Sequence, residues 1–152
     1  MTKTFLNYLE QSYELLCSLE ISGQPYSLKN RQIINCRGKY PRIIKSKEAS
    51  DYLNSFSLQV PDEYKDLRLG SLDAPLAVIV VIYYRSRRPD LDVHAVMDGL
   101  QASGVIQNDR YIREVHSYAL QDKENPRAEI YLFQIPKTQI AHPAKKGQHG
   151  TL

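Results

Sequence analysis

The spacing of hydrophobic positions changes several times along the chain, and each spacing predicts a different element. A continuous apolar, β-branched run from Leu76 to Tyr84 predicts a strand that is buried on both faces and central to a sheet. From about Leu91 to Ala102, apolar residues recur every three or four positions, which predicts a helix that packs on the sheet and ends at Gly104. The strongest pattern in the chain is therefore a buried strand followed by an amphipathic helix.

Weaker patterns predict the elements on either side of this pair. Apolar residues at helical spacing over Lys3–Leu19 predict an amphipathic helix, and Ser46 is a suitable N-cap for another helix from about Lys47 to Phe56. Strands are expected over residues 21–26, 30–36, 42–45, 113–120 and 127–135. The turn Asp122–Pro126 predicts that the last two strands pair with each other as an antiparallel hairpin. The expected fold is α/β or α+β, with one mixed sheet flanked by helices.

Composition limits the class of protein. A chain of 152 residues that is 42% hydrophobic and 24% charged is typical of one soluble globular domain. It holds no apolar run of roughly 18 residues, which excludes a membrane-spanning helix, and residues 1–10 do not resemble a signal peptide. Cys17 and Cys36 lack the spacing of a metal or redox motif, so reduced thiols and a cytoplasmic location are expected.

Positive charge is concentrated in three stretches. The net charge is only +3, but the stretch from Lys29 to Lys47 holds seven Lys and Arg residues and no acid. A second cluster lies at residues 85–88, and the tail 137–152 also lacks Asp and Glu. Clustered Lys and Arg neutralise phosphates, which indicates contact with DNA or RNA. Solvated surface charge is the alternative interpretation.

Two carboxylates follow the central strand. Asp90 and Asp92 are two residues apart at the expected start of the helix, and Asp109 follows the same helix. Helix N-terminal amides favour ionised acids, so either aspartate of the pair could simply cap the helix. Three carboxylates that converge repel one another unless a cation lies between them, and Mg²⁺ binds such oxygens while keeping positions for water and phosphate. We therefore consider a metal site that hydrolyses phosphodiesters.

Several segments resemble the RusA family of branched-DNA endonucleases, and they occur in the family's order over roughly residues 20–135. They are Pro25-Tyr-Ser-Leu-Lys-Asn-Arg31, the stretch Gly38–Ala49, Arg88-Pro-Asp-Leu-Asp92 with Asp98-Gly-Leu-Gln101, Gly104-Val-Ile106 and Asn108-Asp-Arg110, and the stretch Glu124–Ile130. The resemblance divides the chain into an N-terminal helical extension (1–19), a RusA-like nuclease domain (20–136) and a basic flexible tail (137–152).

The resemblance implies a homodimer that resolves four-way DNA junctions with Mg²⁺, for which Mn²⁺ would substitute, and with no organic cofactor. It places the family's catalytic, metal-binding acids on Asp90, Asp92 and Asp109. Asp98 matches a further acidic position, which either supports the metal or is a polar surface residue. The residues expected to contact DNA are Lys29, Arg31, Lys45, Lys47, Arg87, Arg88 and Arg110, with His94 as a further candidate.

The chain departs from the family at one lysine. Better-known members carry a lysine one turn after the acidic pair, and this chain is two residues shorter there and lacks it. Aligned from Asp90, that lysine position falls on Val96. Aligned from Asp98 it falls on His94, and Arg88 then replaces the first acid. We adopt the first alignment because it keeps both acids of the pair in the site. The cations that could replace the lysine are Lys45, Lys47 and Arg110.

Two functions from different classes therefore remain open from the sequence. The first is a Mg²⁺-dependent endonuclease that resolves four-way junctions in recombination and repair. The second is a catalytically weak or inactive protein of the same fold that binds branched DNA, and the missing lysine favours it. An RNA-directed or regulatory phage protein is a third, less favoured alternative.

Overall fold

The structure, a computed structural model, describes residues 12–27, 32–87 and 89–136. Within these residues, the chain forms six strands, two helices and one short 3-10 turn at Asp109–Tyr111. In chain order the elements are β1 (Glu14–Ser22), β2 (Gln32–Asn35), β3 (Arg42–Lys45), α1 (Lys47–Gln59), β4 (Leu76–Tyr84), α2 (His94–Ala102), β5 (Ile112–Gln121) and β6 (Arg127–Gln134).

Strand β4 organises the main sheet, as its apolar run predicts. The strand order is β1-β6-β4-β5, in which β4 is parallel to β5 and antiparallel to β6, and β1 is antiparallel to β6. Eight of the nine β4 residues are buried, and only Tyr83 is partly exposed. β2 and β3 form a separate antiparallel pair. The expectation of one domain with a mixed sheet flanked by helices is confirmed as an α+β arrangement.

The two faces of the sheet are packed differently. Both helices cover the face that carries Val78, Val80 and Ile82, where the largest core cluster includes Phe56 of α1 and Leu100 of α2. On the opposite face, a smaller cluster around Ala77, Ile79, Val81, Phe133 and Ile135 is lined by the partly buried rings of Tyr13, Tyr83, Tyr118 and Tyr131. Period-two alternation along β4 thus divides its side chains between two cores.

The predicted β5–β6 hairpin is wrong, although both strands are present. β4 lies between them and pairs with each, so β5 and β6 do not pair with one another. The connection crosses the end of β4, where the Asp122 N–H donates to the Tyr84 carbonyl oxygen over 2.9 Å. The most apolar strand takes the central position because only there are both of its faces covered.

The predicted N-terminal helix is wrong over residues 14–19, which belong to β1, while residues 3–11 lie outside the described residues. Cys17, Leu19 and Ile21 are buried alternately along the strand, and pairing with β6 continues to Ser22. Leu16 and Leu19 also fit a helical spacing, so local periodicity did not distinguish the two structures. Long-range pairing with β6 determines that these residues form a strand. The boundary predicted at residue 19 falls inside this strand. The predicted basic tail, residues 137–152, lies outside the described residues.

Both predicted core helices are confirmed, with altered bounds. Ser46 caps α1 by accepting a hydrogen bond from the Ala49 N–H over 3.2 Å. α2 begins at His94 rather than near Leu91, and it is followed by Gly104, whose φ of +79° suits a glycine. The later start leaves the acidic pair in an ordered turn before the helix.

Two of the composition-based expectations concern membrane-spanning helices and the state of the cysteines. Neither α1 nor α2 is long and apolar enough to cross a membrane, and no other helix within the described residues is. Both cysteines are free thiols. Cys17 is buried in the main core, and burial raises the pKa of its thiol to about 11, whereas Cys36 is exposed.

Gly99 sets the distance between the two helices. A Cβ added there would lie 2.5 Å from the ring of Phe56, a side chain with no exposed surface. We expect Gly99→Ala to lower the free energy of unfolding by about 1–3 kcal/mol through overpacking, against a gain of about 1 kcal/mol in helix propensity. Denaturant unfolding measures the difference in the free energy of unfolding between the variant and wild type. Gly38→Ala is the control, because its nearest neighbour would be 3.8 Å away. A Gly99→Ala protein more stable than wild type by the full helix-propensity gain of about 1 kcal/mol would contradict the close helix contact.

Candidate active site

The turn that carries the acidic pair is attached to the last residue of β4. The Tyr84 ring is 4% exposed, and its hydroxyl donates to the Asp90 carbonyl oxygen over 3.2 Å. The same hydroxyl accepts a hydrogen bond from the Asp92 N–H over 3.3 Å. Burial raises the pKa of Tyr84; the hydrogen bond from the Asp92 N–H opposes this increase, and the Asp92 and Asp90 carboxylates add to it. The hydroxyl therefore keeps its proton and can serve both contacts.

The carboxylates of Asp90 and Asp92 have different surroundings. Asp92 is the more enclosed, with 17% of its side chain exposed, and its Oδ1 accepts the His94 N–H over 3.0 Å. The same oxygen lies 2.6 Å from His94 Nδ1. Asp92 thus binds a free N–H of the first turn, one of the roles that the sequence left open, although the N-cap residue itself is Val93. The Asp90 side chain is exposed, and no residue of the described chain forms a hydrogen bond or ion pair with its carboxylate. Asp90 is available for an outside ligand.

Asp98 lies one helical turn beyond His94 on α2. Its Oδ2 accepts a hydrogen bond from the Tyr26 hydroxyl over 2.9 Å, which ties the helix to the segment after β1. The Tyr26 ring packs edge-on against Tyr52 of α1, with 5.6 Å between ring centroids. Asp98 is therefore half-buried in a tyrosine cluster. The structure thus shows Asp98 as a hydrogen-bond acceptor that connects α2 to Tyr26.

Asp109 lies at the other end of α2. It begins the 3-10 turn before β5, and its N–H donates to the side-chain oxygen of Gln101 over 3.1 Å. The preceding Asn108 side chain caps the turn by accepting the Arg110 N–H over 3.0 Å. The Asp109 side chain is exposed.

Topology separates Asp109 from the pair within one chain. Because β4 and β5 are parallel, Leu76 is opposite Ile112 and Tyr84 is opposite Gln121. Asp109 therefore lies beside the beginning of β4, whereas the pair follows its end. α2, whose nine residues span about 13 Å, lies between the two positions. Across residues 12–27, 32–87 and 89–136, no three His, Cys, Asp or Glu side chains are grouped to hold a metal ion.

Among the described residues, the acidic turn thus offers a metal the carboxylates of Asp90 and Asp92, without Asp109. That set still suits Mg²⁺, which is commonly bound through one or two carboxylates together with substrate phosphates and water. It does not suit an ion held by a closed, all-protein cage.

The basic residues expected at DNA are distributed over several elements. Lys45 and Lys47 are exposed at either side of the α1 N-cap, and Arg87 is exposed beside the pair, where its Nε donates to Gln121 over 3.0 Å. Arg110 is exposed, with its guanidinium 4.8 Å from the Tyr111 ring centroid. His94 is exposed but engaged by Asp92. The other three predicted contacts, Lys29, Arg31 and Arg88, lie outside the described residues.

Sequence reasoning missed the tyrosines that hold the site. Tyr84 was assigned to an apolar run, and Tyr26 to a short predicted strand. The available signal was a tyrosine as the last residue of a buried strand, because a buried hydroxyl there needs a partner beyond the strand end.

A scan against models of protein families finds no match to this chain, and a search of curated proteins also finds none.

The capping contact of Asp92 predicts different effects for two substitutions. Asp92→Ala should lower the free energy of unfolding by about 0.5–2 kcal/mol because the helix loses its acceptor. Asp92→Asn keeps an oxygen at the same place and should stay within about 0.5 kcal/mol of wild type. Asp90→Asn, at an exposed carboxylate, should leave stability unchanged. Denaturant unfolding of the three variants checks the order, and equal losses for Asp92→Ala and Asp90→Asn would contradict the capping role.

Proposed function

We propose that the protein is a Mg²⁺-dependent endonuclease that cuts branched DNA, with Asp90 and Asp92 as its metal-binding acids. The observation that carries the proposal is the fixed turn at the carboxyl end of β4, which presents one exposed and one enclosed carboxylate. Ligands of open α/β sheets bind outside the carboxyl ends of the strands, where this turn lies. The segments that resemble the RusA family include this turn.

In this proposal, different residues of the chain bind the metal and the phosphates. Asp90 and Asp92 bind the metal, and the exposed Arg85 and Arg87 contact phosphates on the same turn. A bound Mg²⁺ supplies Lewis-acid stabilisation of a phosphate and activation of a water. Asp92 stays in place through the His94 N–H and the Tyr84 hydroxyl, so the pair needs little rearrangement to accept the ion.

We further propose that the third acid, Asp109, comes from a second copy of the chain. β5 is an edge strand of the described sheet, ten residues long, with Val115 and Leu120 more than 40% exposed. An unpaired edge of this length favours pairing with another strand. Antiparallel pairing of two β5 strands about a twofold axis brings the beginning of one beside the end of the other. Asp109 of one copy then approaches the Asp90–Asp92 turn of its partner.

A twofold dimer of this kind suits the substrate. It carries two identical sites, one at each place where the beginning of one β5 lies beside the end of the other, and a four-way junction offers two equivalent strands. In this dimer, acids that lie apart in one chain meet between two copies. Their separation in one chain is therefore compatible with the resemblance to the RusA family.

The first test uses a labelled four-way junction with and without Mg²⁺. Wild type should make paired, metal-dependent nicks. Asp90→Asn and Asp92→Asn should cut at least about 100-fold more slowly because several kcal/mol of charge stabilisation is lost, and all three proteins should bind the junction. Junction binding by wild type without nicks, under any Mg²⁺ or Mn²⁺ concentration, would contradict the endonuclease proposal and support the alternative of an inactive branched-DNA-binding protein. Preference for structured RNA as competitor would contradict both.

The second test asks which copy supplies Asp109. An Asp92→Asn chain and an Asp109→Asn chain, each with its own affinity tag, are co-expressed, and mixed dimers are purified through both tags. In a shared site, one site of the mixed dimer carries both substitutions and the other carries neither. The mixed dimer should therefore make single nicks at about half the wild-type rate, while each parent dimer is inactive. A mixed dimer as inactive as its parents would place all three acids in one chain.

A further inference from the structure

Tyr26, Tyr52 and Tyr84 are three buried tyrosines of the main core, and they differ in what their hydroxyls bind. Tyr84 bonds the main chain of Asp90 and Asp92, and Tyr26 bonds the Asp98 carboxylate. The Tyr52 hydroxyl is buried with no hydrogen-bond partner in the described chain. Tyr52 packs edge-on against Tyr26, with 5.6 Å between ring centroids, and burial raises the pKa of its hydroxyl. Only one of the three hydroxyls therefore holds the turn itself.

We propose that Tyr84 is a positioning residue, whose hydroxyl fixes the Asp90–Asp92 turn in the geometry that binds the divalent ion. The inference rests on the proposed function. The turn joins β4 to α2. Arg85 and Arg87 at its start bond Gln24 and Gln121, and Val93 at its end packs on the core, whereas Asp90 and Leu91 between them are exposed. The Tyr84 hydroxyl contacts it at two points, on either side of Leu91.

The two contacts act on both carboxylates together. Fixing the Asp90 carbonyl and the Asp92 N–H sets the path of the chain between them, and with it the spacing of the two side chains. A second contact to the side chain of Asp92 comes from His94, but within the described chain nothing but the Tyr84 hydroxyl holds Asp90. Without the hydroxyl the turn is less ordered. Metal binding must then order it, and the free energy that this costs lowers the affinity. A displacement of about 1 Å at a reacting centre can cost about 100-fold in rate.

The cluster supplies its own matched controls. Tyr84→Phe, Tyr52→Phe and Tyr26→Phe each remove one oxygen atom and leave the ring packing intact. Tyr52→Phe removes a hydroxyl that has no partner in the described chain, so it should be neutral or slightly stabilising. Tyr26→Phe removes the Asp98 contact and leaves both contacts to the turn in place.

The test measures three properties of the full chain with each substitution. Mn²⁺ binding is followed by the electron paramagnetic resonance signal of free Mn²⁺, and the Mg²⁺ dependence of junction cutting is measured in parallel. Amide hydrogen exchange over residues 90–93 reports the order of the turn without any metal. Tyr84→Phe should weaken Mn²⁺ binding about 10-fold, as losses of ligand-orienting contacts typically do. It should also raise the Mg²⁺ requirement by a similar factor, with cutting largely restored at high Mg²⁺, and should speed exchange over the turn. Tyr52→Phe should leave all three unchanged.

The possible results distinguish a failure of this inference from a failure of the proposed function. Wild-type Mn²⁺ affinity and wild-type exchange in a folded Tyr84→Phe protein would overturn the positioning role while leaving the endonuclease proposal intact. Equal losses in Tyr84→Phe and Tyr52→Phe would also overturn it, since they would indicate a general packing effect. A wild-type protein that neither binds Mn²⁺ nor cuts junctions would overturn the proposed function, and the positioning role would fall with it.

Discussion

The parallel pairing of β4 with β5 is the constraint on which the remaining structure depends. A parallel neighbour cannot be reached by a tight turn, so the chain must return along the sheet, and it does so through α2. The return covers one face of β4 and buries Val96 and Leu100 against it. It also fixes which residues come after β4 and which come before β5. The acidic pair and Asp109 are assigned to opposite ends of the same crossover by connectivity alone.

The acidic turn places an engaged carboxylate and an exposed one two residues apart. Asp92 stabilises the start of α2 and is itself held by the helix, whereas Asp90 is exposed and faces no competing partner in the described chain. Such a pair provides one rigid and one accessible oxygen donor, an arrangement that suits a hydrated divalent ion on a phosphate. Tyr84 links this turn to the most deeply buried strand, so the rigidity of the core extends to the proposed site.

Sequence patterns predicted the parts of the fold that local physics determines. The apolar run of β4, the Ser46 cap and the glycine after α2 each specify their element through burial, hydrogen bonding or φ. β1 was mistaken for a helix because its leucines fit both periods, and the β5–β6 pairing was mistaken because strand order depends on competition for the central position. The location of the acidic pair was predictable. Its separation from Asp109 also follows from a strand-helix-strand order. The resemblance to the RusA family predicts instead that the three acids lie together.

The central claim is that the acids kept apart in one chain meet between two copies. Anomalous diffraction from crystals grown with Mn²⁺ and a four-way junction tests it most directly. The account predicts a manganese peak within bonding distance of Asp90 and Asp92 from one copy and Asp109 from the other. A peak bonded to all three acids of a single chain, or a junction complex in which manganese binds away from Asp90, would contradict it.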